Sequence, residues 1–515
     1  MSRHIDVRKG TYLDSVSLMS ISTKANALDG VTQAFIAMGT AMNKEVLANL
    51  GITDPAIDEA TGGDLMVVLE TAAEDRLPSA LEDLEDLLNR KAGSGTATER
   101  RYRTLASAVE EVPESNLVVI SVNGAFAARE AQKALTAGKH VMIFSDNVEL
   151  ADEIALKQYA HDKGLLMMGP DCGTAIINGV GLCFANKVRR GSIGIVGASG
   201  TGSQELSVRI HDFGGGVSQL LGTGGRDLSA EVGGIMMIDG IKALEADPAT
   251  DVIVLVSKPP APEVEQKVLA VAGECTKPVI AAFLGSARTE SGYDNVTIAS
   301  GTKPAALAAV LATGVDESTL DLHALNWPLI HEVRAKLAPE QKYVRGLFCG
   351  GTLCDESMYA AIDTYQEVYS NIQKDPALKL SASDASRGHT FLDMGDDDFT
   401  DGRPHPMIDP SLRIQRILQE ADDPEVGVLA LDFIVGFGAH EDPVGVTIPA
   451  LKEAQAKAAA RGQHLEILGY VLGTDEDTPS VADQVAQLEA IGVTIASSST
   501  NTGLLAREFV AKETN

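Results

Sequence analysis

This sequence has few aromatic residues and few cysteines. Aromatic residues make up 4% of its 515 residues, and the five cysteines are Cys172, Cys183, Cys275, Cys349 and Cys354. Because their number is odd and no Cys-x-x-Cys pair occurs, the pattern argues against a disulfide framework and against a zinc ribbon. Reduced, unpaired thiols are typical of a cytosolic protein.

Positive charge and long apolar runs are also scarce. The chain has 42 Lys and Arg residues against 72 Asp and Glu residues, which gives a formal net charge of −30. Such a surface repels phosphates, so we expect neither nucleic acid nor an anionic membrane surface as a partner. No run of about 18 apolar residues is present, and the first nine residues lack the apolar stretch of a signal peptide. We therefore expect a cytoplasmic protein without a membrane span.

The sequence does contain many glycines, 49 in all. They separate short apolar runs from amphipathic stretches, a pattern that predicts an α/β fold with parallel, doubly wound sheets. We divide the chain into a small N-terminal α/β domain, two further α/β domains, a helical connector and a last α/β domain, with bounds of 1–110, 111–188, 189–315, 316–344 and 345–515. In the first domain we predict a strand at 15–21, a helix at 31–50 and a linker at 92–99.

The most informative stretch is residues 191–205, GSIGIVGASGTGSQE. It predicts a buried strand, a glycine-rich turn and a helix that begins near residue 202. Backbone N–H groups at the N-terminus of a helix, together with small hydroxyls, suit a phosphate or a carboxylate. We therefore predict anion binding by Ser199, Gly200, Thr201, Gly202 and Ser203.

A similar strand–loop–helix stretch, GLFCGGTLCD, covers residues 346–355. Its turn predicts a second anion-binding site at Gly350, Gly351 and Thr352. Two such turns in one chain favour an enzyme of phosphoryl or acyl transfer over a simple binding module.

Several motifs resemble the succinyl-CoA synthetase family. Residues 115–312 resemble its α subunit through GPDCGTAI at 169–176, the stretch at 191–205 and GTGGRD at 222–227. Residues 345–512 resemble the ligase domain of the β subunit through FLDMG at 391–395 and DFIVGFG at 432–438. This fused order, preceded by an extra domain, resembles the FdrA-type proteins of the acyl-CoA synthetase superfamily. The resemblance implies a Rossmann-like, CoA-binding-type domain at 111–188 and flavodoxin-like ligase domains at 189–315 and 345–515.

The chain departs from that family at the residues that carry its phosphohistidine chemistry. The loop at 288–297, RTESGYDNVT, holds no histidine, and SKPPA at 257–261 places Lys258 where the family has a supporting glutamate. A CoA-binding fingerprint in the first 110 residues and an ATP-grasp domain are also missing. We therefore expect phosphate as a substrate, with Lys258 as its charge partner and catalytic candidate, and no certain cofactor. CoA or a nucleotide stays open.

Further ligand-loop candidates follow from the position of strand ends and turns. They are Asp171, Cys172, Gly224, Gly225, Asn123 and His440. Structural packing is the simpler explanation for Cys172, a tight turn explains Gly224 and Gly225 equally well, and a solvated loop is the alternative for His440. His211 is expected to be structural, and we assign no metal site.

Three hypotheses of function remain. The FdrA-type resemblance implies a component of oxamate carbamoyltransferase, which converts oxalurate and phosphate to oxamate and carbamoyl phosphate in purine (allantoin) catabolism. An acyl-CoA ligase subunit is the alternative, and a scaffold subunit without catalysis is the third hypothesis. In each case we expect other protein subunits as partners, and a homo-oligomer fits the parent architecture.

Overall fold

The computed structural model describes residues 2–11, 13, 15–26, 28, 30–49, 51–89, 102–400 and 403–511. The predicted linker at 92–99 lies outside these residues. Contacts divide the chain into two units, the first formed by Met1–Arg101 with Gly395–Asp409 and the second by Tyr102–Met394 with Pro410–Asn515.

Strands and helices alternate along most of the chain. The strands are β1 (Ser2–Arg8), β2 (Val31–Met38), β3 (Leu65–Thr71), β4 (Leu117–Ile120), β5 (His140–Ile143), β6 (Met167–Met168), β7 (Thr174–Ile177), β8 (Val180–Cys183), β9 (Arg190–Gly197), β10 (Val217–Gly222), β11 (Val252–Ser257), β12 (Val279–Phe283), β13 (Val296–Ile298), β14 (Tyr343–Phe348), β15 (Val368–Ser370), β16 (His389–Asp393), β17 (Val426–Ile434), β18 (Glu466–Leu472) and β19 (Thr494–Ile495). The helices are α1 (Ser15–Asn26), α2 (Ala41–Asn49), α3 (Pro55–Glu59), α4 (Leu77–Asn89), α5 (Leu105–Glu111), α6 (Gly124–Thr136), α7 (Leu150–Asp162), α8 (Gly200–Asp212), α9 (Ile235–Ala246), α10 (Pro262–Gly273), α11 (Thr302–Ala312), α12 (Trp327–Lys336), α13 (Gly351–Ile362), α14 (Asp397–Thr400), α15 (Ser411–Glu420), α16 (Ile448–Ala460), α17 (Val481–Glu489) and α18 (Ser499–Val510).

The first unit contains an antiparallel sheet of order β1-β3-β2. One prediction in this region, the strand at 15–21, is wrong. The predicted helix at 31–50 is wrong over Val31–Met38 and confirmed over Ala41–Asn49, which form α2. Residues 15–21 belong to α1, because Leu18 and Ala25 are buried two helical turns apart on one face. Residues 31–38 form β2, which pairs along β3 so that its apolar side chains pack in a sheet rather than on a helix face.

The second unit contains three sheets, and most of their strand pairs are parallel. The smallest has the order β4-β5-β6, the largest β13-β12-β11-β9-β10-β7-β8, and the third β15-β16-β14-β17-β18-β19. β11 and β17 are buried along their whole length, as expected for central strands with helices on both faces. The predicted fold class is confirmed: a small N-terminal domain precedes α/β domains with mostly parallel sheets.

A hairpin that the sequence analysis missed extends the largest sheet. β7 pairs antiparallel with β8 and with β10, and its turn is formed by Asn178 and Gly179, both with positive φ. The hairpin precedes the predicted domain boundary at 188, although its hydrogen bonds join it to the sheet that follows. The bounds of the domains stay predictions.

In the part of the chain that the structure describes, every helix is too short or too polar to cross a membrane.

Candidate functional site

The first turn, residues 199–203, joins β9 to α8. Ser199 caps the helix, because its Oγ accepts a hydrogen bond from the N–H of Gly202 at 3.3 Å. The Ser203 hydroxyl donates to the carbonyl of Ser199 at 2.6 Å. Among the described residues, no acceptor is found for the backbone N–H of Gly200 or of Thr201. The positive end of α8 therefore keeps two donors for a ligand.

The second turn, residues 350–352, joins β14 to α13, but its first donor is already used. The carboxylate of Asp432 accepts the N–H of Cys349 at 2.7 Å and the N–H of Gly350 at 2.8 Å. Arg413 pairs with the same carboxylate at 3.0 Å. Burial raises the pKa of Asp432, and the Arg413 guanidinium opposes that rise. The N–H of Gly350, predicted to bind a ligand, instead donates to the carboxylate of Asp432.

The two turns meet directly. The hydroxyls of Ser199 and Thr352 are 2.5 Å apart, and the N–H of Thr352 donates to Oγ1 of Thr201 at 3.3 Å. A Cβ on Gly202 would lie 2.9 Å from Oγ1 of Thr352, so only glycine allows the two helices to approach this closely. The N–H of Gly351 has no acceptor in the described part of the chain. The structure therefore brings both predicted turns together, although their hydroxyls touch instead of enclosing a gap.

Lys258 lies beside the second turn, as predicted, but between two carboxylates. It follows β11 directly, and a Cβ on Gly351 would lie 2.9 Å from its Nζ. The Nζ atom is 3.4 Å from Oδ2 of Asp393 and 4.0 Å from Oδ2 of Asp355. Its side chain is 39% exposed, whereas both carboxylates are buried. The ammonium that was expected to balance a phosphate is thus already balanced by the protein.

Asp355 is a strongly perturbed acid of this site. Burial raises the pKa of its carboxyl to about 7, the Lys258 ammonium opposes this rise, and the charge of Asp393 adds to it. Among the described residues, its Oδ2 has no hydrogen-bond partner. A carboxyl that titrates near neutrality beside a lysine can accept or donate a proton or a hydrogen bond.

Sequence reasoning missed Asp355, Asp393 and Asp432 as site residues. A signal was present for each one. Asp393 ends β16 and Asp432 lies near the end of β17, and the carboxyl ends of parallel strands are where α/β ligands gather. Asp355 follows the second turn within the first two turns of α13.

The glycines of the turn at 222–225 serve close packing between two turns. Gly224 has a φ of +86°, and a Cβ there would lie 2.2 Å from the carbonyl oxygen of Pro170. A Cβ on Gly225 would lie 3.5 Å from Oδ2 of Asp171. Cys172 is buried, and burial raises the pKa of its thiol. This environment favours the packing explanation for Cys172 over a thiolate nucleophile.

Asn123 and His440 make local hydrogen bonds. The side chain of Asn123 caps α6 by accepting the N–H of Ala125 at 3.1 Å. Nδ1 of His440 accepts the N–H of Asp442 at 2.9 Å. Both residues therefore have a structural role, and their role as ligand residues stays a prediction.

His211 belongs to a group with ligand atoms close enough for a metal ion, together with Asp475 and Glu476. Nδ1 of His211 accepts the N–H of Arg189 at 2.9 Å, and Nε2 faces Asp475 at 3.0 Å. Since Nδ1 accepts a hydrogen bond, Nε2 carries the proton and donates a hydrogen bond to Asp475. This arrangement satisfies the imidazole without a metal.

Three family models match the chain. A model described as AllF, heavy metal-associated domain, matches residues 1–103. A CoA binding domain matches residues 188–285, which include the first turn. A CoA-ligase model matches residues 347–509, which include the second turn.

The chain is also similar to known proteins. YahF of Escherichia coli K12 is 62% identical over 512 residues, which is 99% of each chain. The α subunit of an ADP-forming succinate–CoA ligase from Methanothermobacter thermautotrophicus is 27% identical over 45% of this chain and 79% of that protein. The solved structure of a dinucleotide-forming acetyl-coenzyme A synthetase from Ca. Korarchaeum cryptofilum shares 16% identity over 85% of this chain and 93% of its own, with a TM-score of 0.31, too low to support any argument.

Proposed function

This chain belongs to the acyl-CoA synthetase-like superfamily as a YahF/FdrA-type member, and on that premise we propose that its site transfers a carbamoyl group to phosphate. The substrates are oxalurate and phosphate, and the products are oxamate and carbamoyl phosphate. The observation that carries the proposal is the pair of helix N-termini that meet beside Lys258. The N–H groups of Gly200, Thr201 and Gly351 there find no acceptor among the described residues.

The chemistry needs an oxyanion site and an attacking phosphate oxygen. That oxygen forms a bond to the carbamoyl carbon of oxalurate, and the bond from this carbon to the oxamate nitrogen breaks. The proton of hydrogen phosphate goes to the leaving nitrogen. Backbone N–H groups at the ends of α8 and α13 stabilise the negative charge, since such fixed donors need no reorganisation during the reaction. No histidine lies in the loop at 288–297, and this reaction requires none.

Lys258 links the second turn to the carboxylates of the site. Its Nζ lies beside Gly351 and also contacts Asp393. A phosphate that arrives at the N–H groups attracts this ammonium away from the carboxylates, because a dianion is a stronger partner than a shared carboxylate. Lys258 then balances the phosphate charge during attack.

An acyl-CoA ligase subunit is the second candidate function. The match of a CoA binding domain to residues 188–285 favours it, as do relatives described as α subunits of succinate–CoA ligases. The same relatives support action together with partner subunits. The cytoplasm remains our expected location.

Ligand-dependent unfolding of the full chain tests the two functions. We expect phosphate and carbamoyl phosphate to raise the melting temperature, and CoA and ATP to leave it unchanged. A ligand at 100 times its dissociation constant should stabilise the chain by about 2.7 kcal/mol. Lys258→Met should abolish the phosphate effect, whereas Lys452→Met, an exposed lysine of α16, should retain it.

Two results would decide against the proposal. Stabilisation by CoA alone would establish the ligase alternative. No stabilisation by any of the four compounds would favour a scaffold subunit.

A further inference from the structure

Asp355 is a buried acceptor without a hydrogen bond. Its side chain is 4% exposed, and in the described part of the chain its Oδ2 belongs to the few buried side-chain oxygens that lack a hydrogen-bond partner. The nearest cation, Nζ of Lys258, is 4.0 Å away, longer than a hydrogen bond. A buried carboxylate oxygen in this condition is costly unless a ligand completes it.

Asp393 contacts the same lysine. Its Oδ2 lies 3.4 Å from Nζ of Lys258, and a Cβ on Gly351 would lie 2.5 Å from this oxygen. The Asp393 carboxylate and the Lys258 ammonium thus lie directly against the second turn, and Asp355 is joined to them through the lysine. Lys258 is the exposed member of the group, so its movement would uncover the two acids.

If only phosphate binds, the negative charges of Asp355 and Asp393 are no longer balanced by Lys258. When Lys258 turns toward phosphate, Asp355 and Asp393 lose their shared cation. Two adjacent buried carboxylates repel each other, and Oδ2 of Asp355 has no hydrogen-bond donor among the described residues. A ligand that brings both an oxyanion and N–H donors resolves this, because its N–H groups replace the ammonium.

We propose that Asp355, assisted by Asp393, accepts hydrogen bonds from the carbamoyl NH2 group and so makes the site select carbamoyl over other acyl groups. This inference rests on the proposed function and assigns its specificity to named residues. The oxyanion end of the ligand lies at the N–H groups of Gly200, Thr201 and Gly351, and its nitrogen end lies at the carboxylates. No covalent step is added.

Carbamoyl phosphate and acetyl phosphate form a matched pair of probes, since they differ only by NH2 against CH3. Calorimetric titration of the full chain at pH 8 and low temperature, where both compounds persist, measures their affinities. We expect carbamoyl phosphate to bind about tenfold more tightly or better, the ratio given by a hydrogen bond to a charged acceptor.

Two variants and one control locate this preference. Asp355→Leu removes the acceptor and should reduce the ratio to about one, while acetyl phosphate binding stays. Asp355→Asn keeps one acceptor oxygen, should retain the fold, and should give an intermediate ratio. Glu356→Gln changes the neighbouring buried acid, which binds Thr302, and should leave the ratio unchanged.

The outcomes separate the two proposals. Equal affinities in the wild-type chain, or a ratio that survives in both Asp355 variants, would overturn the role of Asp355 while phosphate transfer stands. Failure of both acyl phosphates to bind would overturn the proposed function and this inference together.

Discussion

Replacing Asp355 with asparagine should stabilise the chain increasingly as the pH rises. Burial raises the pKa of this carboxyl from 3.8 to about 7 in the folded chain. In the window between these values the folded state binds more protons than the unfolded state, so the stability of the wild-type chain falls with rising pH. The asparagine side chain does not titrate, and the variant lacks this loss.

The size of the effect follows from the two pKa values. One pKa unit corresponds to about 1.36 kcal/mol. For a folded pKa of about 7, the ionisation penalty is about 2 kcal/mol at pH 5 and about 4 kcal/mol at pH 8. The stability difference between Asp355→Asn and the wild type should therefore grow by about 2 kcal/mol over this range and level off above it.

Urea unfolding of both proteins at pH 5, 6, 7 and 8, followed by circular dichroism, measures this difference. Other buried acids titrate too, so only the difference between the two proteins is informative. The charged groups that act on Asp355 are Lys258, Asp393, Lys374 and Glu356, and all of them are the same in both proteins. Asp363→Asn, an exposed position just after α13, should give a flat difference. A difference for Asp355→Asn that is equal at pH 5 and pH 8 would refute the reasoning.

Two further substitutions test the architecture of the site. Gly202→Ala should destabilise the chain by about 1–3 kcal/mol, because its Cβ would lie 2.9 Å from Oγ1 of Thr352. Gly200→Ala, whose Cβ would lie 3.6 Å from Oγ1 of Thr174, should melt like the wild type, and equal melting temperatures for both variants would contradict this packing. Asp432→Asn should cost about 3–5 kcal/mol, since it leaves the buried Arg413 without its anion; adding Arg413→Met should recover part of that loss, and a double variant as unstable as the single one would show that the pair is not the cause.

Much of the α/β architecture could be predicted from the sequence because apolar strands and glycine-rich turns are local signals. The strands before both turns were predicted correctly. Because β9 and β14 belong to different sheets, the rule that parallel strands end at one edge does not predict that the turns meet. The N-terminal region was harder to predict, because short apolar runs such as residues 15–21 fit both the helical and the strand periodicity. In this region, the burial of Leu18 and Ala25 against the sheet shows that the segment is helical.

The missed hairpin had a usable signal. Asn178-Gly179 separates two short runs by two residues, the pattern that favours a tight hairpin turn. The structure pairs Ile177 with Val180 across this turn. The signal was masked by the strong βα rhythm on both sides, which led to the expectation of parallel strands alone.

The charges of the site could not be predicted from local sequence. Asp432 lies 83 residues beyond Cys349 along the chain, yet the two hydrogen bond, because β17 pairs with β14 in a register that places Leu347 opposite Leu431. The spacing of residues along the sequence does not reveal this strand register. For the same reason the pairing of Lys258 with Asp393 was hidden, and the lysine was expected to act on a ligand alone.

The N-terminal domain lacks the side chains that the description of its family suggests. Its match is described as a heavy metal-associated domain, but residues 1–103 contain no cysteine and one histidine, His4. Soft metal ions are held in proteins mainly by thiolate and imidazole groups. Similarity of fold in this domain therefore gives no support for a thiolate metal site.

Two turns that look alike in sequence thus differ in what they can bind. The first keeps the N–H donors of Gly200 and Thr201, whereas the second keeps only that of Gly351 among the described residues, donates through Gly350 to Asp432 and lies beside Asp393. With Lys258 and Arg413 as the cations, three carboxylates give this cluster a charge of −1 when all are ionised. On the proposed function, a dianionic phosphate is held mainly by backbone dipoles, and its binding depends on the movement of Lys258. The strand-end rule that gathers ligand residues also gathers Asp393 and Asp432, and on the same proposal the site discriminates by the donors that a ligand carries as well as by its negative charge.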